Sequence, residues 1–133
     1  MRWIMIIAIS AALAACAQPS PRAPEPQPTR IFTVYFDTDS ADLTPTAQEI
    51  IGNVGDALRK ALPSKIIVEG QANAGAPRDA ELAVQRADTV VAALVKAGVD
   101  SNMIVRRTAL VGPATSDPIT RVSTQKVLVE FLP

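Results

Sequence analysis

Two stretches of helical apolar spacing, each preceded by a β-branched run, constrain this chain more than any other feature. Ala47, Ile50, Ile51, Val54, Ala57, Leu58, Ala61 and Leu62 fall at i, i+3, i+4, i+7 positions and form one helical stripe. Thr44-Pro45 supplies an N-cap and a proline for the first helical position, and Pro63 stops the run. Gly52 and Gly55 are expected on the outer side of this helix. Leu82, Ala83, Ala87, Val90, Val91, Leu94 and Val95 make a second stripe, with Asp79 as its expected cap and Gly98 as its left-handed terminator. Each stripe must be buried against another element, and the β-branched runs supply the surface.

The spacing predicts four strands. Ile31–Phe36 is β-branched and aromatic and ends in the turn residues Asp37-Thr38-Asp39-Ser40. Lys65–Gly70 is the second strand, followed by a polar loop over Gln71–Arg78. Met103–Val111 is the third, with Arg106-Arg107 placing one charge on each face. Gly112–Ser123 reads as a loop. Lys126–Leu132 is the last strand, with Val127, Val129 and Phe131 on one face and Glu130 on the other. The expected fold class is α+β in the order βαβαββ, with two amphipathic helices packed on one face of a mixed four-stranded sheet. No internal repeat is present, and the domain is expected over residues 30–133 of 133.

Before that domain the texture changes twice. Met1-Arg2 gives a positive start to an uncharged run, Trp3–Leu13, too short for a spanning helix of about 20 residues and suited to a signal core. Leu13-Ala14-Ala15-Cys16 resembles a bacterial lipobox, in which the cysteine is acylated and becomes the first mature residue. Residues 1–15 are therefore expected to be a lipoprotein signal peptide, and Cys16 the site of lipidation (palmitate or a similar acyl chain). The bland alternative is an ordinary signal with a chance cysteine near its cleavage site. Residues 16–29 then form a tether, since Pro19, Pro21, Pro24, Pro26 and Pro28 favour extended polyproline II. Loss of residues 1–15 removes Arg2 and no acid, leaving 12 basic against 13 acidic residues.

A balanced charge argues against nucleic acid as a partner, because phosphate binding needs a basic excess. With no histidine and one cysteine, His-based acid–base catalysis and Cys/His zinc sites have no residues to use. Neither a metal nor a cofactor is expected, nor an enzyme: Asp37 and Asp39 fit better as turn residues than as an acid–base pair.

Phe36-Asp37 with Leu43-Thr44, then Gly70-Gln71-Ala72-Asn73, Gly75, Asp79, Leu82 and Gln85-Arg86-Ala87, then Ala97-Gly98-Val99-Asp100 with Ile104, and finally Gln125-Lys126-Val127, resemble the OmpA C-terminal-like domain family. With the lipobox and tether, the pattern is nearest its peptidoglycan-associated-lipoprotein type. The resemblance covers roughly Val34 to Phe131. It implies non-covalent binding of peptidoglycan through the free meso-diaminopimelate end of the stem peptide. That group carries an ammonium and a carboxylate on one carbon, so its recognition needs an anion and a cation close together. The family's carboxylate-binding Arg matches Arg86. Its ammonium-binding Asp matches Asn73, and its His matches Gln71, so this sequence departs from the pattern at both. Asp79 stands where the family has Asn and is expected to return a carboxylate to the pocket. Lys126 is a further candidate contact.

Plainer readings stand beside these. Arg86 on a helix surface would pair with Asp79 or Glu81 at under about 1 kcal/mol. Gly70 and Gly75 would punctuate a loop, Asn73 would be a turn residue, and Lys126 would decorate an edge strand. The expected function is an outer-membrane lipoprotein of a Gram-negative bacterium, held to the membrane lipid by acylated Cys16 and facing the periplasm, that binds peptidoglycan and tethers the envelope. The alternative is a degenerate domain that docks an envelope protein, in a secretion or motility complex, without wall binding.

Overall fold

A computed structural model describes residues 29–113 and 124–133. The expected signal peptide, Cys16, most of the expected tether and most of the expected Gly112–Ser123 loop lie outside the described residues. The elements run β1 (Arg30–Tyr35), α1 (Pro45–Ala61), β2 (Lys65–Ala74), α2 (Pro77–Lys96), a 3₁₀ turn (Ser101–Met103), β3 (Ile104–Pro113) and β4 (Lys126–Leu132). The fold is α+β, with the βαβαββ order and a mixed four-stranded sheet in spatial order β1-β4-β2-β3. β4 runs antiparallel to both β1 and β2, and β2 is parallel to β3. Lys126 therefore belongs to a central strand, not an edge strand. The sequence shows where β4 is but not which neighbours it takes.

Local chemistry explains the helix ends. The Thr44 hydroxyl accepts from the Ala47 amide at 3.1 Å, and Pro45 occupies the first turn. At the other end the Leu62 amide closes on the Leu58 carbonyl at 3.0 Å, with Leu62 left-handed at φ 46° before Pro63. α2 starts two residues earlier than its expected cap: Ala76 is the N-cap, with no side-chain bond, and Asp79 lies inside the first turn. Gly98, at φ 96°, ends α2 as expected.

Both stripes pack on the same sheet face. Ile51, Val54 and Leu58 of α1 and Ala87, Val90 and Leu94 of α2 meet Val34, Ile66, Val68, Val127, Val129 and Phe131. Ile50 and Val91 pack against the edge of this core. Gly55 corrects the sequence reading: it is buried, and an added Cβ would lie 3.4 Å from the Ala97 Cβ. The arginine pair divides as expected. Arg106 pairs with Asp88 of α2, and Arg107 pairs with Glu69 beside it in the sheet.

One glycine fixes the height of α2 above the sheet. A Cβ on Gly70 would stand 2.2 Å from the Ala83 carbonyl oxygen, so only glycine permits this approach of helix to strand. Arg86 lies one turn beyond Ala83.

Candidate functional site

Arg86 is a helix residue with 3% of its surface exposed, so the surface-cation reading fails. Its Nε donates to the Ser40 carbonyl at 2.7 Å and its Nη2 to the Asp37 carbonyl at 3.1 Å. The guanidinium carbon lies 5.5 Å from the centroid of Phe36, within cation–π range. These contacts use one edge of the fork and carry the β1–α1 turn. Two of the five N–H donors are engaged by these carbonyls. Burial lowers the guanidinium pKa, and the charges of Asp79 and Asp39 oppose that shift. An arginine so placed stays protonated.

The guanidinium opens on a small cleft lined by Asp39, Asp79, Leu82, Arg86, Thr124 and Gln125. Three segments build it. The β1–α1 turn brings Asp39, whose backbone is left-handed at φ 52°, a conformation that aspartate tolerates better than most residues. The first turn of α2 brings Asp79, where the helix dipole favours a carboxylate. The two residues before β4 are Thr124 and Gln125, and the Gln125 carbonyl accepts from the Phe36 amide at 2.8 Å.

The other expected site residues sit differently. The strand β2 does not end at Gly70 but continues through Gln71, Ala72 and Asn73 to Ala74, so the expected loop is mostly sheet. Its pairing with β3 is irregular between Ala72 and Ala74. Asn73 is 1% exposed and does not line the cleft; its Nδ2 donates to Asp79 Oδ2 at 3.1 Å from behind. Asp79 and Arg86 are thus brought together, with Asn73 one bond removed. Lys126 alternates with the inward Val127, so it projects from the sheet face opposite the helices and away from the cleft.

Asp39 is the site residue that sequence reasoning missed. The Asp37-Thr38-Asp39-Ser40 run gave a turn signal and nothing about what the turn would face. Among the described residues no group of three or more Cys, Asp or Glu side chains is placed to hold a metal. Arg86 shares this small cleft with two carboxylates, one of which, Asp39, also pairs with Arg78 at 3.9 Å.

The model of the OmpA family matches residues 35–128. An outer membrane protein of Gluconacetobacter diazotrophicus is 33% identical over 87 residues, which are 59% of this chain and 23% of that protein. The chain thus corresponds to about a quarter of that relative. Among solved structures, the OmpA-like domain of FopA1 from Francisella tularensis superposes with a TM-score of 0.64 at 20% identity, over 79% of this chain and 75% of that one. The C-terminal domain of Helicobacter pylori MotB gives 0.63 at 20% identity, over 77% and 85%. The cell wall anchor of the Pseudomonas aeruginosa T6SS gives 0.63 at 18% identity, over 78% and 81%. At these identities the structures attest the fold, whereas the family model spans most of the chain and most of the described domain: the chain belongs to the OmpA family.

Proposed function

We propose that this domain binds the free diaminopimelate end of peptidoglycan stems, and that Cys16, acylated, ties the same chain to the outer membrane. The domain is then a binding module of the cell envelope and not an enzyme. The observation that carries this reading is the Arg86 guanidinium, buried, fixed by two carbonyls and lining a cleft together with Asp39 and Asp79. A carboxylate seated there receives charge-assisted bonds from a pre-oriented fork, and an ammonium on the same carbon meets an acid. Asp79 and Arg86 are the proposed contacts, with Asn73 behind Asp79. Lys126 has no part in this cleft and could touch only a more distant portion of the stem. The Pro-rich tether, at about 3.1 Å per residue, would let the domain reach roughly 40 Å from the membrane.

Co-sedimentation of the detergent-solubilised full chain with purified sacculi tests the reading. Retention should be released by soluble meso-diaminopimelate. No retention on sacculi would overturn it and favour the second reading, docking of an envelope protein. That second reading has one structural support, the sheet face away from the helices, where Ile31 and Tyr35 are 59% and 55% exposed.

A further inference from the structure

Strands and helices alternate in direction, so the cleft and the point where the chain enters the domain lie at opposite ends. β1 begins at Arg30, and the same end collects the C-termini of α1 and α2, the start of β2 at Lys65 and the end of β4 at Leu132. α2 has 20 residues. At 1.5 Å per residue, about 30 Å separates this end from the cleft. Five basic side chains stand here, Arg30, Arg59, Lys60, Lys65 and Lys96, and all are exposed. Of the two acids beside them, Asp56 is paired with Arg59, and Asp100 Oδ1 accepts from the Asn102 amide at 2.9 Å. Arg30, Lys60, Lys65 and Lys96 form no ion pair among the described residues. Helix dipoles are reason enough for Arg59, Lys60 and Lys96, which lie in last turns. Arg30 and Lys65 begin strands, where no dipole calls for them.

Leu62 stands among these cations. It is 80% exposed, more than any other large apolar side chain among the described residues. With Pro63 it forms a ridge between two grooves. One, of about 460 Å³, is also lined by Arg30, Lys60, Phe131 and Leu132. The other, of about 200 Å³, is also lined by Leu58, Ile66, Val99 and Met103. An apolar ridge ringed by unpaired cations matches the layering of an anionic lipid surface, with phosphates outermost and hydrocarbon beneath. The connectivity points the same way. Only residues 17–29 separate Arg30 from Cys16, so an acylated Cys16 would hold this end, and not the cleft, near the membrane.

We propose that the end of the domain bearing Leu62 docks reversibly on an anionic lipid surface, with Arg30, Lys60, Lys65 and Lys96 over the headgroups and Leu62 inserted among them. The proposal rests on the acylated Cys16 of the reading above and does not depend on the peptidoglycan cleft. Each basic residue close to an anionic surface favours the docked state by about fivefold, and salt weakens the attraction over a Debye length. Docked, the domain holds its cleft about 30 Å from the headgroups and facing away from them. Released, the tether carries the same cleft up to roughly 40 Å farther.

The test places the full chain in vesicles of phosphatidylcholine alone or of an equal mixture of phosphatidylcholine and phosphatidylglycerol. With Cys16 acylated, Leu62→Cys supplies a single free thiol for an environment-sensitive fluorophore. Its emission should shift to the blue in the mixed vesicles and return toward the aqueous value in phosphatidylcholine alone or at high salt. The same probe on Glu81→Cys, exposed on α2 near the cleft, should show no shift. Lys60→Glu combined with Lys65→Glu should lower the docked-to-free ratio at least about tenfold and leave the urea midpoint near that of wild type. A shift equal in both kinds of vesicle, or undiminished by the two charge reversals, overturns the proposal. A shift that grows with the ratio of protein to lipid assigns this end to a second copy of the chain and overturns it as well. If neither probe shifts, docking is overturned while the anchor and the wall reading stand. Wild type has no other cysteine, so fluorophore uptake by wild type would show Cys16 unacylated, and the anchor reading would fail and this proposal with it.

Discussion

Arg86 Nε donates to the Ser40 carbonyl at 2.7 Å, joining the second helix to the turn after the first strand across 46 residues of sequence. One side chain thereby does two things. It closes the β1–α1 turn onto α2, and it lines the cleft that the same turn walls with Asp39. The proposed binding surface and the packing of the domain share a residue, so substitutions there act on both.

Arg86→Ala removes two charge-assisted bonds to main-chain carbonyls and leaves a void over Phe36. Hydrogen bonds involving a charged group are worth about 1.5–3 kcal/mol each, and water can partly replace the arginine at the half-open turn. The expected loss is about 2–4 kcal/mol, seen as a lower urea midpoint. Arg86→Lys, which keeps the charge and reaches one carbonyl, should recover part of that stability while losing the planar fork needed for a carboxylate. An unchanged midpoint in Arg86→Ala would mean that the turn is held by other contacts.

Gly70→Ala should be among the most damaging small changes in the domain. The added Cβ would meet the Ala83 carbonyl at 2.2 Å, and the obstacle is backbone, not a movable side chain. Overpacking usually costs about 1–3 kcal/mol, and here relief requires lifting α2 from β2. Thermal unfolding should show a lower Tm. Gly52→Ala is the control, since nothing lies within 4 Å of a Cβ there and the helix gains propensity.

Cys16→Ser tests the anchor proposed from Leu13-Ala14-Ala15-Cys16. Metabolic labelling with a radioactive fatty acid should mark the wild-type chain and not the variant, and the variant should leave the membrane fraction. Acyl chains contribute about 0.8 kcal/mol per buried CH₂, so their loss should release the protein nearly completely. Equal labelling of both chains would remove the anchor from the proposed function.

Much of this architecture is written in local pattern. Apolar spacing placed Ile51, Val54, Leu58, Val90 and Leu94 toward a sheet, and Thr44-Pro45 marked a helix start, because amphipathicity and capping depend on residues within one or two turns. The alternation of Val127, Val129 and Phe131 likewise showed which side of the last strand is buried. Other features depend on partners far away in sequence. The central position of β4 follows from β4 pairing with both β1 and β2, which no property of residues 126–132 announces. Gly55 reads as an outer-face residue and Gly70 as loop punctuation until Ala97 and Ala83 are brought against them.

The site divides in the same way. Arg86 could be singled out in the sequence by its resemblance to a family position, but its burial and its bonds to Asp37 and Ser40 exist only once α2 lies over the β1–α1 turn. Asn73 lost its expected place in a loop because β2 runs on to Ala74, paired with β3, and the backbone hydrogen bonds of that ladder outweigh the turn propensity of a polar segment containing glycine. Local chemistry, being short-ranged, set the elements of this chain. The positions of Asp39, Asp79 and Arg86 around one cleft were decided only by packing, because charge and burial at each depend on atoms that the sequence separates and the fold brings together.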